Sequence, residues 1–221
     1  MAQKKSKYGI VDTEVKYRPK TLADFIFPSQ DVKEVISAYC TGGVTRPLIL
    51  CGSNGTGKSL LAQLLPPAIE GRPASVNRVR ATDLNSSKEV NFVFTSDKEF
   101  DRLFRVDDQL FNYNVIEEVN FNPSARDAFR VVLDEVRGVD LTIITTNRID
   151  KIDIGIRSRS EVVEVTPLEP ELFLPRAKAI INAEGFEVDE AALLAALQAT
   201  YDLGPDNRNY YKKVDSLLRS M

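Results

Sequence analysis

The chain has 221 residues, of which 43% are hydrophobic, and a formal net charge of -3 at pH 7. This is enough to bury a core in one large domain, or in one domain with a small satellite. There is no histidine, which excludes histidine triads, two-histidine zinc sites and imidazole acid–base catalysis. The slight acidity excludes a generally basic nucleic-acid coat, but a local basic face can still bind DNA.

The N-terminal residues 1–13 are polar and have no apolar segment behind their lysines. No run in the sequence approaches the roughly 18 consecutive apolar residues that a membrane span requires. We therefore expect residues 1–13 to be a polar leader and the protein to have no membrane partner. The expected location is the cytoplasm, the host cytoplasm for a phage protein, or the nucleus in a eukaryote.

The first predicted elements are a helix, a buried strand and a second helix. Asp31 is predicted to cap a helix whose apolar residues recur at helical spacing. The apolar run Leu48–Cys51 ends in glycine, which is typical of a strand buried on both faces of a parallel sheet. A helix is expected from Lys58, and Pro66 and Pro67 are expected to end or kink it early.

Strands and helices then alternate along the chain. Strand character appears at Val76–Ala81, and a helical turn is indicated at 100–104. The later predicted elements are a strand at Tyr113–Ile116, a helix at 124–136, and strands at Leu141–Thr146 and Val162–Val165. This alternation predicts an α/β domain with a mostly parallel sheet flanked by helices.

From Pro167 onward only helices are predicted. They are Pro170–Ala183, bent by Pro175, then Glu190–Ala199 and Arg208–Leu218. The predicted domain boundary therefore lies near residue 166, with an α/β domain at 14–166 and a small three-helix domain at 167–221.

A phosphate-binding loop is predicted directly after the first strand. The segment matches G-x-x-x-x-G-K-[ST] in full, and its residues are Gly52, Ser53, Asn54, Gly55, Thr56, Gly57, Lys58 and Ser59. The glycines let backbone N–H groups turn around the β-phosphate of ATP, and the following helix N-terminus favours anions. Lys58 can bridge the β- and γ-phosphates, and Ser59 can ligate Mg²⁺. The alternative, a glycine loop that only turns the chain, is disfavoured by the strand and helix around it.

Two acidic pairs compete for the role of working with this loop. Asp134 and Glu135 follow an apolar run, but that run has the period of one helix, which places both carboxylates on its outer side in the final turn. We interpret them as solvated helix charges. Glu117 and Glu118 instead end a predicted strand, where acids reach the ligand crevice of an α/β sheet. Glu117 is predicted to bind Mg²⁺, directly or through water, and Glu118 to act as the general base. The open alternative is a pair that only caps a surface strand.

These segments together resemble the small subunits of sliding-clamp loaders, the replication factor C group of AAA+ ATPases, and particularly their phage counterparts. The resemblance begins at the box Lys16–Leu22 and continues through the phosphate loop, Ala81–Asp83 and Phe121–Pro123. It implies a P-loop AAA+ domain followed by a small helical lid domain. It also implies that Tyr17 and Arg18, in the first box, lie near the adenine of ATP.

Three downstream residues receive roles from the same resemblance. Asn147, in Thr145–Asn147, matches the sensor-1 asparagine and would orient the attacking water. Arg159, in the segment 156–160, matches an arginine that reaches a neighbouring subunit's ATP, with Arg157 as an alternative. Arg208 matches the sensor-2 arginine of the lid, which would contact the γ-phosphate.

The resemblance implies an ATPase of DNA replication that couples ATP to assembly on DNA and a sliding clamp. Its partners would be other AAA+ subunits, in a homo- or hetero-oligomer, the clamp, and duplex or primer–template DNA bound through the backbone. The sequence ends at Met221, where clamp-loader subunits carry a further collar domain. The alternatives are a helicase loader, a transposition helper, or a nucleotide-dependent scaffold with little hydrolysis.

Overall fold

The computed structural model describes residues 12–80, 84–96, 109–117 and 123–220. They form two compact units. The sheet unit comprises Ser29–Gly52 and Lys58–Val165, apart from the gaps just given. The helical unit comprises the described parts of Met1–Pro28 and Thr166–Met221, together with Ser53–Gly57. The domain boundary near residue 166 stays a prediction. The helical turn at 100–104 lies outside the described residues.

A five-stranded parallel sheet, in the order β2-β3-β4-β1-β5, forms the centre of the sheet unit. Its strands are β1 (Leu48–Cys51), β2 (Val76–Arg80), β3 (Asn112–Glu117), β4 (Asp140–Thr146) and β5 (Glu161–Glu164). β1 lies between β4 and β5, and all four of its residues are buried. The predicted α/β fold with a parallel sheet is confirmed.

Helices precede, connect and follow the strands. They are α1 (Thr13–Lys16), α2 (Gln30–Cys40), α3 (Lys58–Glu70), α4 (Ser87–Asn91), α5 (Pro123–Glu135), α6 (Ile154–Arg157), α7 (Pro170–Ala183), α8 (Glu190–Leu203) and α9 (Asn207–Ser220). The three helices predicted after residue 167 are α7, α8 and α9. Within the described ranges, no helix combines the length and apolarity that a membrane crossing requires.

The predicted cap of α2 and the predicted early end of α3 are wrong, whereas a kink of α3 at its two prolines stays a prediction. The cap of α2 is Ser29, whose side chain accepts a hydrogen bond from the Val32 amide, and not Asp31, which lies in the first turn. α3 does not end at Pro66 and Pro67 but continues to Glu70. Proline costs a helix one backbone hydrogen bond and local strain. Here the burial of apolar side chains on both sides of the prolines offsets that cost; they include Leu61, Leu64, Leu65 and Ile69.

The predicted apolar face of α5 is confirmed as a core element. Its buried residues pack with the sheet and with α4 in a cluster formed by Ile49, Val79, Leu84, Val90, Phe94, Ile116, Ala125, Phe129, Val132, Leu133, Val136, Ile144, Ile152 and Ile156. Because this helix covers one face of β3 and β4, it fixes the position of both strands. Two of the predicted catalytic residues, Glu118 and Asn147, directly follow these strands.

The helical unit has its own apolar core. Its buried residues come from α7, α8, α9 and the segment before α7; they are Leu168, Phe173, Ala177, Ile180, Ile181, Leu193, Leu197, Tyr210 and Val214. The rings of Phe173 and Tyr210 stack with centroids 4.8 Å apart. The Tyr210 hydroxyl donates to the Leu168 carbonyl at 2.7 Å. Tyr17 and Ile26 pack against this core, so the N-terminal segment is part of the unit.

A polar cluster ties α1 to the end of α7. The hydroxyl of Tyr17 donates to Oε1 of Glu184 at 2.6 Å, and the ammonium of Lys16 donates to the same oxygen. The hydrogen bond from Lys16 is the main cause that lowers the pKa of Glu184, and the bond from Tyr17 adds to it. Ionised Glu184 is therefore favoured by the folded state.

We expect the stabilisation from Glu184 to depend on pH. Because its pKa is lowered on folding, the contribution is complete above the ordinary value of 4.5. It is lost as pH falls through the lowered folded-state pKa. Glu184→Gln should therefore reduce the free energy of unfolding at pH 7 by up to about 1 kcal/mol, the range for a partly exposed pair. The difference from wild type should shrink below pH 4.5.

Urea denaturation across this pH range would measure the effect. Glu187→Gln is the control, because it removes the same charge at an exposed position nearby. A deficit of Glu184→Gln that stays constant down to acidic pH would contradict the prediction.

Candidate functional site

The loop that follows β1 begins with a turn that only glycine can make. Gly52 has φ 139°, which side-chain-bearing residues rarely adopt. A Cβ on Gly52 would lie 2.3 Å from the carbonyl oxygen of Val165, a backbone atom that cannot rotate away. The amide of Val165 in turn donates to the Cys51 carbonyl at 2.7 Å. The chain leaving β1 is therefore pressed against the chain leaving β5.

Lys58 begins α3 on the far side of the loop. Its ammonium donates to the Gly52 carbonyl at 3.0 Å, and the residue is only 7% exposed. The next residue, Ser59, is exposed in the first turn of α3. A cation, a hydroxyl and a helix N-terminus are thereby gathered at one end of β1, an arrangement that suits an anion.

Residues Ser53–Gly57 belong to the helical unit and contact the start of α9. The amide of the Asn207 side chain donates to the Thr56 carbonyl at 3.2 Å. Its oxygen accepts a bond from the Leu168 amide at 2.9 Å. A Cβ on Gly55 would lie 1.8 Å from Oδ1 of Asp206. Asn207 thus holds the loop by a hydrogen bond, and Asp206 lies directly against Gly55. Neither residue has a role among the sequence-based predictions.

The ends of β3 and β4 lie at the same edge of the sheet as the end of β1. Glu117 is the last residue of β3 and pairs in register with Thr145, while Cys51 of β1 pairs with Thr146. Asn147 follows directly and is exposed. The sheet therefore brings Glu117, Asn147 and the Lys58–Ser59 end of the loop to one edge. Glu118, Ala81–Asp83, Phe121 and Asn122 lie outside the described residues.

Arg159 is held on the surface of the sheet unit. Its Nε lies 2.9 Å from both carboxylate oxygens of Asp134, near the end of α5. Its Nη1 donates to the Gly155 carbonyl at 2.9 Å. Asp134 is exposed, as its position on the outer side of α5 predicts. It is not merely solvated, however, because it pairs with an arginine 25 residues further on. Arg157, the alternative to Arg159, has a buried Nε without a hydrogen-bond partner among the described residues.

Arg208 is also paired with a carboxylate, in its own unit. Its Nη2 lies 2.7 Å from Oδ2 of Asp206, and hydrogen bonding to Asp206 raises the pKa of the guanidinium. Burial acts to raise the pKa of Asp206, but the bonds from Arg208 outweigh burial and lower it. One side of α9 faces the core of the helical unit, since Val214 is buried and Tyr211, Leu217 and Leu218 pack against that core.

The first-box residues have contacts within the helical unit. Tyr17 bonds to Glu184 and packs on the core, and Arg18 is exposed. Their placement near an adenine, like every other role assigned to the predicted site residues, stays a prediction.

The residues at the loop fit a nucleotide phosphate and its Mg²⁺. The turn at Gly52 excludes a side chain, and Lys58 supplies a buried cation. Ser59 and Glu117 offer the hydroxyl and carboxylate oxygens that Mg²⁺ accepts alongside phosphate and water. Across the parts of the chain that the structure describes, there is no cluster of three or more His, Cys, Asp or Glu for a metal. That finding is compatible with Mg²⁺, which is usually bound through only one or two carboxylates together with substrate phosphates.

A parallel sheet with a glycine-rich loop between one of its inner strands and a helix defines a P-loop nucleotide-binding fold. Residues 48–168, more than half of the chain, match the family described as ATPase family associated with various cellular activities (AAA). The chain belongs to this family. Its membership implies nucleotide binding.

Curated proteins that are similar in sequence to this chain include replication factor C small subunits. Replication factor C small subunit 2 of Pyrobaculum arsenaticum is 28% identical over 188 residues, which are 84% of this chain and 57% of that protein. Replication factor C small subunit of Staphylothermus marinus is 29% identical over 191 residues, 85% of this chain and 56% of that protein. The chain thus resembles these subunits over most of its own length. It spans little more than half of theirs.

Solved structures share the fold. The Thermotoga maritima RuvB Holliday junction branch migration motor has a TM-score of 0.69 and 18% sequence identity, over 93% of this chain and 66% of that one. At this identity the likeness concerns the fold alone. It agrees with the sheet and the C-terminal helices described above.

We expect Gly52→Ala to damage the site far more than Gly138→Ala. Both glycines have positive φ, 139° and 81°, so alanine incurs backbone strain of roughly 1–2 kcal/mol at each. Only Gly52 also faces a backbone oxygen, whereas nothing lies within 4 Å of a Cβ on Gly138. The clash should add about 1–3 kcal/mol of destabilisation. Urea denaturation and titration with a fluorescent ATP analogue would test this; equal losses in the two variants would contradict it.

Proposed function

We propose that this protein is an ATPase of DNA replication of the clamp-loader type. One observation of the structure carries the ATPase part: the sheet gathers Lys58, Ser59, Glu117 and Asn147 at one edge. The replication part is supported by the similarity to replication factor C small subunits over most of the chain. Coupling of ATP to assembly on DNA and a sliding clamp is the function that these two observations favour together.

Each residue at the edge has a role in this proposal. Lys58 and the loop amides bind the phosphates, and Ser59 and Glu117 hold Mg²⁺. Bound Mg²⁺ would neutralise charge on the phosphate oxygens during transfer. Glu118 accepts the proton of the attacking water, and Asn147 orients that water. Tyr17 and Arg18 lie near the adenine.

Two arginines complete the proposed site. Arg208 binds the γ-phosphate from the helical unit after leaving the Asp206 carboxylate. Arg159 acts in trans, on the ATP of a neighbouring subunit, where a guanidinium stabilises the charge of the transition state. The exposure of Arg159 supports this choice over Arg157, whose Nε is buried. The proposed partners are therefore other AAA+ subunits, a clamp, and DNA bound through its backbone.

ATP turnover tests the proposed chemistry. We expect Lys58→Ala to abolish binding of a fluorescent ATP analogue, because it removes the cation of the loop. Glu118→Gln should bind the analogue like wild type but lose turnover by about 100-fold or more, since it removes only the base. Phosphate release and analogue titration measure the two effects separately. If wild type binds ATP but turns it over no faster than Glu118→Gln, the protein is a nucleotide-dependent scaffold and the ATPase proposal is wrong.

Stimulation of ATP turnover by DNA and a sliding clamp tests the proposed partners. We expect primer–template DNA and a sliding clamp together to raise ATP turnover several-fold, because a shared DNA–clamp substrate brings each ATP beside the next subunit's arginine. Single-stranded DNA without the clamp is the control. If turnover responds to a replicative helicase or a transposase and not to the clamp, the protein is a helicase loader or a transposition helper instead.

A further inference from the structure

A carboxylate on α5 holds the arginine that we assign to the neighbouring ATP. Both oxygens of Asp134 lie 2.9 Å from Nε of Arg159. The Gly155 carbonyl accepts a second bond, from Nη1 at 2.9 Å. A guanidinium is planar, so bonds at two of its nitrogens fix the plane of the whole group. Neither bond uses Nη2, which can still donate to a phosphate.

The backbone that carries Arg159 is itself fixed to α5. Asp153, which caps α6, lies 3.5 Å from Nη1 of Arg130 and 3.9 Å from Nε of Arg126, both on α5. A Cβ on Gly155 would lie 2.6 Å from Cδ of Arg130, so α6 lies close against this side chain. The main chain near Arg159 is therefore already held against α5, and Asp134 additionally constrains the Arg159 side chain.

The energy of the Arg159–Asp134 pair indicates that it serves orientation and not stability. The two side chains are 38% and 56% exposed. Ion pairs of this exposure contribute at most about 1 kcal/mol to folding, because water screens them. A displacement of about 1 Å in a group that meets a reacting phosphate can, in contrast, cost about 100-fold in rate.

We propose that Asp134 is a positioning residue that sets the orientation of Arg159 for the ATP of the neighbouring subunit. The proposal rests on the trans role of Arg159 in the proposed function. Asp134 should therefore matter in the subunit that donates Arg159, and not in the subunit that holds the nucleotide. This asymmetry separates a positioning role from a general effect on the fold or on nucleotide binding.

Mixed assemblies test the asymmetry. Lys58→Ala chains donate Arg159 but cannot bind nucleotide, and Arg159→Ala chains bind nucleotide but donate no arginine. Turnover in the mixture then comes from the arginine of the first chain acting on the ATP of the second. Asp134→Asn in the donor should lower kcat between about tenfold and 100-fold, with a smaller change in KM. The same substitution in the acceptor should lower kcat much less, and Asp134→Glu in the donor should restore part of the rate.

Glu135→Gln in the donor is the matched control, because it removes an equally exposed charge at the next position of α5. The melting temperature of Asp134→Asn should fall by no more than about 4 °C. If Asp134→Asn and Glu135→Gln donors give the same kcat, or if Asp134→Asn raises it, the positioning role is wrong while the trans role stands. If the parent mixture shows no turnover above its separate components, or Arg159→Ala alone is as active as wild type, the trans role itself is wrong.

Discussion

The close approach of two strand ends determines how the phosphate loop is built. Gly52 turns beside the carbonyl of Val165, at the point where β1 and β5 finish together. β1 is buried between β4 and β5. The chain can therefore turn away only beyond the end of the strand, beside the end of β5. The turn there requires positive φ and no side chain. This geometry fixes where the loop starts. The ammonium of Lys58 donates to the Gly52 carbonyl at 3.0 Å, so the same turn also binds the cation.

The parts of the fold that the sequence predicts correctly are those governed by local periodicity. Four consecutive apolar residues in β1 can be satisfied only by burial on both faces, which requires helices on both sides of the sheet. The helical spacing of Ala125, Phe129 and Val132 likewise identifies the buried face of α5. Each inference uses residues within one element. The AAA family match agrees with both, since its residues 48–168 contain the whole sheet.

The sequence could not show interactions between distant elements. Asn112 and Asn114 make β3 look too polar for a central strand, yet Asn114 is buried. Their amides donate to the two oxygens of Asp140 on β4, at 2.9 and 3.0 Å. Buried polar groups are tolerated when they are hydrogen-bonded, but the partner is known only once the register of two strands is known. The prediction of the α2 cap is wrong for a different reason. Ser29 and Asp31 are both good capping residues, and only the backbone geometry distinguishes them.

The same limit applies to the carboxylates that pair with arginines. Periodicity correctly places Asp134 on the outer side of α5, but it carries no information about Arg159, which follows another strand. Arg208 and Asp206 are only two residues apart and form an equivalent pair in the helical unit. Half-exposed pairs of this kind are weak, so a carboxylate can hold an arginine in place without preventing its transfer to a more highly charged phosphate. In the proposed function, low pair energy is therefore a requirement at Arg208, which must leave Asp206 to reach the γ-phosphate. Arg159 instead keeps its bond to Asp134, because its Nη2 can reach the neighbouring ATP while Nε stays bonded.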